Sequence, residues 1–72
     1  MMHATYDKEA DAAYLYVEYP VTRGQVKKSV ALDQHIILDF DVNQKLLGIE
    51  ILDASKVLSK KVLLEAKQPT QA

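Results

Sequence analysis

Residues 36–52 carry the sequence IILDFDVNQKLLGIEIL, and this stretch decides the fold class. Apolar and polar side chains alternate before and after a central connecting segment, a period typical of strands with one buried face. Asp41 fits an Asx-type turn, and Asn43 is the residue best able to adopt a left-handed conformation there. We therefore predict a β-hairpin, with strands at residues 36–41 and 46–52.

Three further extended segments precede the hairpin. Residues 13–19, AYLYVEY, are rich in aromatic and β-branched types and predict a strand. Pro20 terminates it, because proline has no amide to donate. Residues 2–6 and 26–32 predict shorter strands. Residues 33–35 fit either a turn or a bulge, so the chain around them forms two strands or one bent strand.

Two connections carry residues with predicted roles. Asp7 is a suitable cap for the polar turn that follows the first strand, because its carboxylate can accept from backbone amides two or three residues on. Gly24 lies in the loop after Pro20 and is free to take a positive φ.

The segment after the hairpin has helical periodicity. Asp53 is the predicted N-cap, with Ser55 as the alternative, and the helix is expected to run to about Ala66. Apolar residues recur at a spacing that places them on one side of this helix. The predicted apolar stripe comprises Ala54, Val57, Leu58 and Val62.

The composition bounds the domain organisation and the cellular setting. The 72 residues predict one domain over residues 1–72, with a core at about 2–66 and a fraying tail at 67–72. The absence of cysteine excludes disulfides and thiolate metal sites. A net charge of −1 without a clustered basic face argues against nucleic-acid binding. No apolar run approaches the roughly 20 residues that cross a membrane, and no secretory pattern opens the chain, so we expect a cytoplasmic protein without a membrane partner.

Together these elements predict an α+β fold. We expect a small antiparallel sheet of about four strands, meander-like, with one C-terminal helix packed on one face. A single helix leaves the second face uncovered, and alternation places several large apolar side chains there. Because a core this small contributes only about 3–5 kcal/mol, oligomerisation is the expected remedy, with a dimer first. The predicted interface residues are Tyr14, Tyr16, Ile37, Leu46 and Leu52.

Three segments resemble a known family of small bacterial proteins, domain of unknown function 2283. They are Tyr6–Tyr14 with the pattern YDxExDxxY, Asp39–Asp41 with DFD, and Gly48–Ser55 with GIEILDAS. The resemblance covers roughly residues 2–56 and implies fold and cellular type more than activity. Some members look like the smaller partner of two-gene modules, including toxin–antitoxin-like pairs. The chain departs from the usual family pattern at three positions. Lys8 stands where the family often has proline, and Gln44 replaces the usual turn glycine. His35 lies near a position where glycine is common.

The acidic residues are the one group in the sequence that could form a metal-binding or catalytic site. Hard cations such as magnesium or calcium take several oxygen ligands, and Asp39, Asp41, Glu50 and Asp53 are the weak metal candidates. Capping, turn and surface roles are favoured for these residues, because the spacing lacks a calcium-loop pattern. We therefore predict no cofactor, no metal site and no catalytic residue. The two histidines, His3 and His35, are interpreted as strand-end or turn residues.

The sequence thus predicts a non-enzymatic protein-interaction module that self-associates through its sheet. One alternative is an antitoxin-like partner of a small toxin in a two-gene module. Another is a divalent-metal-binding protein or enzyme that uses the acidic cluster.

Overall fold

The structure, a computed structural model, describes residues 3–66, apart from the side chain of Arg23. The fraying predicted for residues 67–72 lies outside the described residues. Within the described residues, five strands form one antiparallel sheet in the order β1-β2-β5-β4-β3. The strands are β1 His3–Asp7, β2 Ala12–Tyr16, β3 Lys28–Ala31, β4 Ile36–Phe40 and β5 Leu46–Leu52.

The predicted α+β class is confirmed, while the predicted number and order of strands are corrected. The sheet has five strands rather than about four, and β5 returns to pair with β2, so the order is not a simple meander. The fifth strand exists because residues 33–35 form a turn and not a bulge. Asp33 Oδ1 accepts hydrogen bonds from the amides of His35 at 2.7 Å and Ile36 at 3.0 Å, which reverses the chain.

The β4–β5 connection is largely as the sequence predicts. Asp41 Oδ1 accepts from the amides of Asn43 at 2.8 Å and Lys45 at 2.9 Å, which confirms the Asx-type turn. The left-handed residue, however, is Gln44 with φ 64°, not Asn43. The Gln44 amide donates to the Asp41 carbonyl at 3.0 Å, so the residue with positive φ is itself part of the turn.

A bulge in β5 changes the end of β2. Asp39 pairs with Gly48 whereas Phe40 pairs with Leu46, so Leu47 is the extra residue. The Leu47 carbonyl accepts from the amides of both Val17, at 2.9 Å, and Glu18, at 3.0 Å. Regular pairing of β2 therefore ends at Tyr16, three positions before the predicted end. Gly24 does not use the positive φ that is open to it, because it lies within a 3₁₀ turn at Arg23–Gln25.

The C-terminal segment forms two short helices, α1 Ala54–Val57 and α2 Lys60–Glu65, instead of the one predicted helix. Leu58 and Ser59 are extended between them. The Ser59 side chain accepts from the Val62 amide at 3.3 Å and so begins a new helix in a new direction. Asp53 holds the N-cap position of α1 with φ 51°, but its side chain makes no capping hydrogen bond.

Both helices lie on the same face of the sheet, over its β1-β2-β5 half. Ala13, Ile51 and Ala54 are buried at the contact, and Leu58 and Leu63 pack against them. The break between the helices shifts the apolar stripe, so Val57 and Val62 are 37% and 38% exposed, contrary to the prediction. The opposite side of the sheet is called the reverse face below. Cross-strand pairing places Tyr14, Tyr16, Ser29, Ile37, Asp39, Gly48 and Glu50 on it.

Candidate functional site

A hydrogen-bonded network lies at the centre of the reverse face. Ser29, Asp39 and Gly48 are cross-strand neighbours on β3, β4 and β5. The Asp39 carboxylate accepts from the Tyr14 hydroxyl at 2.8 Å and from the Ser29 hydroxyl at 2.7 Å. Asp39 is only 8% exposed, so these two donors satisfy a nearly buried charge.

Gly48 makes room for the Tyr14 ring. A Cβ atom at Gly48 would lie 2.6 Å from the Tyr14 hydroxyl oxygen, so the ring rests directly on the glycine backbone. Burial of the ring raises the pKa of Tyr14 well above its ordinary value, and the hydrogen bond to Asp39 raises it further. Tyr14 is therefore a neutral donor and a structural member of the network.

Aromatic rings extend from this network toward the end of β2. We call His3, Tyr14, Tyr16 and Tyr19 the aromatic row. Ring centroids are 4.6 Å apart for Tyr14 and Tyr16 and 4.9 Å apart for Tyr16 and Tyr19. His3 stacks on Tyr19 at 4.2 Å. The two tyrosine–tyrosine distances lie within the range of about 4.5–7 Å in which aromatic pairs stabilise each other.

The loop after β2 folds over part of the reverse face. Gln25 braces this loop, because its Nε2 donates to the Glu18 carboxylate at 2.8 Å. A pocket of about 220 Å³ lies between the loop and the sheet. Its lining consists of Tyr14, Tyr16, Val21, Thr22, Val26 and Asp39. This volume is below the roughly 300–1,000 Å³ of typical small-molecule sites.

A second concavity, about 400 Å³, lies between the β1–β2 turn and α2. It is lined by Tyr6, Lys8, Lys60, Leu63, Leu64 and Ala66. Among the described residues that line it, the titratable types are lysine and tyrosine, so this part of the lining offers no carboxylate or imidazole for acid–base chemistry.

Asp11 forms a second network, which ties the β1–β2 turn to α1. Its Oδ1 accepts from the Tyr6 hydroxyl at 2.8 Å and the Ser55 amide at 3.0 Å, and its Oδ2 accepts from the Ser55 hydroxyl at 2.7 Å. The Asp11 carbonyl also accepts from the Ala54 amide at 2.8 Å. The side-chain hydrogen bond from Ser55 is the largest cause that lowers the pKa of Asp11, and the hydrogen bond from Tyr6 is the second. The hydrogen bond between Tyr6 and Asp11 also raises the pKa of Tyr6.

The lowered Asp11 pKa predicts a specific loss of stability in acid. A depressed folded-state pKa contributes stability that is present above the ordinary value of 3.8 and is lost as the pH falls through the folded value. We expect the advantage of the wild type over Asp11→Asn, measured as free energy of unfolding in urea, to shrink as the pH falls below about 4. Glu9→Gln, an exposed change in the same turn, is the control. An advantage that stays constant down to pH 2 would contradict the role of the ionised carboxylate.

The predicted turn and cap roles of the acidic residues are partly confirmed. Asp7 Oδ1 accepts from the amides of Glu9 at 3.1 Å and Ala10 at 3.3 Å, as predicted. Asp53 instead points toward His35, with Oδ2 3.3 Å from the buried Nδ1, although the two atoms do not form a well-aligned hydrogen bond.

The four metal candidates, Asp39, Asp41, Glu50 and Asp53, are spread over the molecule. Asp39 lies in the reverse-face network and Asp41 in the β4–β5 turn, while Glu50 pairs across strands with Tyr14 and Ile37. Within residues 3–66, no three side chains of the histidine, aspartate and glutamate types are grouped as a metal site would require. In the same part of the chain, no helix is long and apolar enough to cross a membrane.

The predicted interface residues are all half-buried in the single chain. Tyr14, Tyr16, Ile37 and Leu52 lie on the reverse face. Leu46 leaves that face, because the bulge pairs it with Phe40 instead of continuing the alternation. Their role as an interface stays a prediction.

The sequence predictions missed two residues of the networks, and only one of them carried a weak sequence signal. Asp11 stands in the YDxExDxxY segment, but its position there does not indicate that its side chain meets Ser55. Ser29 stands between Lys28 and Val30, and nothing in that local pattern indicates a partner on the next strand.

Comparison with known proteins gives one match. Residues 3–55 match the family model described as protein of unknown function (DUF2283). No curated protein and no solved structure matches the chain. The matched range contains both networks and the whole sheet, and it ends at Ser55, the partner of Asp11. The chain therefore belongs to the DUF2283 family of proteins of unknown function.

Proposed function

We propose that this chain is a non-enzymatic protein-interaction module that self-associates through its sheet. The observation that carries the proposal is the small size of the core. In the described residues, the buried hydrophobic side chains are Ala13, Leu47, Ile51 and Ala54, and Leu47 is the one large side chain among them that is fully buried. A core of this size contributes little free energy to a domain of this length.

Many larger apolar side chains remain in contact with solvent. They are Val17, Tyr19, Val30, Leu32, Val42, Val57, Val62 and Leu64, all at least 37% exposed. Covering such side chains contributes about 25 cal/mol for each Å² of apolar surface removed from water. Contact with a second copy of the chain buries apolar side chains of this kind without requiring a different partner.

The carboxylates support the non-enzymatic part of the proposal. Asp7, Asp11, Asp39 and Asp41 each accept at least two hydrogen bonds from the chain's own amides or hydroxyls. Asp11 and Asp39 accept through both carboxylate oxygens, so neither residue keeps an oxygen free of hydrogen bonds for proton transfer with a substrate. These four instead hold turns and strands in place.

Sedimentation equilibrium tests the proposal. We expect a molar mass about twice the 8.1 kDa of the chain at micromolar concentration. Because apolar burial contributes most of the association energy, the mass is expected to persist at high salt, where surface ion pairs are screened. A mass of 8.1 kDa at every concentration would overturn the proposal.

The antitoxin-like role implied by the family resemblance is a narrower form of this proposal. In that form the module also binds a small toxin, and rescue of cells from the product of an adjacent gene is its test.

A further inference from the structure

We propose that the pocket beneath the loop after β2 binds an alkylammonium group, with its charge at Asp39 and its alkyl chain against the valines of the lining. The pocket is formed by residues of one chain, so this inference goes beyond the proposed self-association and does not depend on it. A free amine and the side chain of a lysine in another protein present the same chemistry to this site.

Asp39 places a nearly buried negative charge in the lining of the pocket. Its side chain is 8% exposed, and its two hydrogen-bond donors, the hydroxyls of Tyr14 and Ser29, are neutral. Among the side chains that the structure describes, the one close pair of opposite charges is His35 and Asp53. Buried charges in proteins are usually paired with an opposite charge, so this carboxylate favours a cation in the pocket.

The carboxylate keeps acceptor capacity for such a cation. Tyr14 donates to Oδ2 of Asp39 and Ser29 donates to Oδ1, and each carboxylate oxygen can accept a further hydrogen bond. The Tyr14 hydroxyl oxygen can also accept while its proton is donated to Asp39. An ammonium group has three N–H donors and no acceptor, which matches this set of oxygens. Its binding requires no proton transfer.

Two tyrosine rings form the aromatic wall of the pocket. Tyr14 and Tyr16 both line it, with ring centroids 4.6 Å apart and ring planes inclined by 62°. A cation is attracted to the face of an aromatic ring when it lies within about 6 Å of the ring centroid. Because the two rings form a corner rather than a parallel stack, a cation in the pocket can approach both of them.

The size and the apolar part of the lining favour a short alkyl chain. The volume of about 220 Å³ exceeds that of a cavity of about 150 Å³ that holds benzene in another protein. Val21 and Val26 supply apolar contacts for the chain. A bare metal ion would instead take several oxygen ligands, and no group of three acidic or histidine side chains in residues 3–66 supplies them.

The loop over the pocket is held by its own hydrogen bonds. Gln25 Nε2 donates to the Glu18 carboxylate at 2.8 Å, and Gln25 Oε1 accepts from the Thr22 amide at 3.1 Å. A wall that is already in place lowers the entropy that ligand binding must overcome. The pocket is therefore formed before the ligand arrives.

The charges around the pocket also favour a cation. Glu50 is the cross-strand neighbour of Tyr14, and Glu18 is bonded to the neutral Gln25. Lys27 shares the reverse face with Ser29 by alternation, but its side chain is exposed and forms no ion pair with Asp39.

NMR titration of the full chain with butylamine tests the site, because this amine is protonated at neutral pH. We expect saturable shifts of amides in the lining, with a Kd of roughly millimolar order for so small a ligand. Butanol has the same size without the charge and should bind about 10-fold more weakly or less. Nα-acetyl-lysine methylamide tests the source of the group: binding like that of butylamine indicates a lysine side chain, and binding of butylamine alone indicates a free amine.

Two variants test the place of the charge. Val21→Lys puts a tethered ammonium group beside the pocket without altering the Asp39 network, and it should weaken butylamine binding about 3-fold or more by competition. Val57→Lys, the same substitution on α1 over the other face of the sheet, should leave the affinity unchanged. Asp39→Asn keeps the shape and removes the charge, so a folded Asp39→Asn variant should bind about 10-fold more weakly.

Three results would each overturn the alkylammonium site. They are the lack of saturable shifts with butylamine, equal binding of butanol and butylamine, and an unchanged affinity in Val21→Lys. The Val21→Lys result decides the question even where Asp39→Asn does not fold. Self-association is measured separately by sedimentation, so the failure of either proposal is recognised without the other.

Discussion

Gly48→Ala is expected to lower the free energy of unfolding by about 1–3 kcal/mol. The new methyl group would lie 2.6 Å from the Tyr14 hydroxyl oxygen, which is closer than non-bonded atoms approach. The ring cannot simply move aside, because its hydroxyl is bonded to Asp39 and its edge packs against Tyr16. Urea unfolding followed by far-UV circular dichroism measures the loss.

The second glycine provides the control for this prediction. A methyl group at Gly24 would meet no atom within 4 Å, and its φ is not positive, so Gly24→Ala should leave stability within about 0.5 kcal/mol. The loss at Gly48 should also be much smaller in a Tyr14→Ala background, because the clashing ring is then absent. Equal effects of Gly48→Ala and Gly24→Ala would contradict the packing of Tyr14 on the glycine backbone.

Asp39→Ala is expected to destabilise the fold by about 2–4 kcal/mol. The substitution removes a nearly buried acceptor and leaves the half-buried Tyr14 hydroxyl without its partner. The Ser29 hydroxyl also loses its acceptor, but it lies on the exposed strand β3 and can bind water instead. Ser29→Ala should therefore cost only about 1 kcal/mol in the same unfolding measurement.

The ionisation of Tyr14 gives a second measurement on the same variant. Burial and the Asp39 hydrogen bond both raise the pKa of Tyr14, so its stabilising contribution is fully present below pH 10.0 and is lost only as the pH rises through the higher folded value. In Asp39→Ala we expect one tyrosine to ionise at lower pH than in the wild type, seen as absorbance at 295 nm. Unchanged alkaline titration together with unchanged stability would show that Asp39 does not hold Tyr14.

Local patterns determined the features that need only neighbouring residues. The hairpin at residues 36–52 follows from alternation around a turn, and Asp41 stabilises that turn through amides two and four positions on. The Asp7 cap likewise involves amides two and three positions away. Such contacts form within one turn of chain, so residue type and spacing suffice to predict them.

The helix prediction shows that local sequence patterns do not determine whether this segment forms one helix or two. The apolar spacing from Ala54 onward is compatible with one helix, and each of the two helical pieces is indeed helical. Ser59 can lie inside a helix or act as an N-cap, and local hydrogen bonding of its side chain is compatible with both positions. The break brings Leu58 and Leu63 onto the core, which depends on the position of the sheet below and not on the helix itself.

What the sequence by itself determined is therefore the α+β class, the antiparallel hairpin and the turn roles of Asp7 and Asp41. Tertiary structure alone decided that Tyr14 meets Asp39, 25 positions away, and that Asp11 meets Ser55, 44 positions away. It also decided the bulge at Leu47 and the exposure of all four residues of the outer strand β3. The physical reason is that these features depend on which strands lie side by side, and pairing between distant strands is set by the packing of the whole sheet rather than by any short segment.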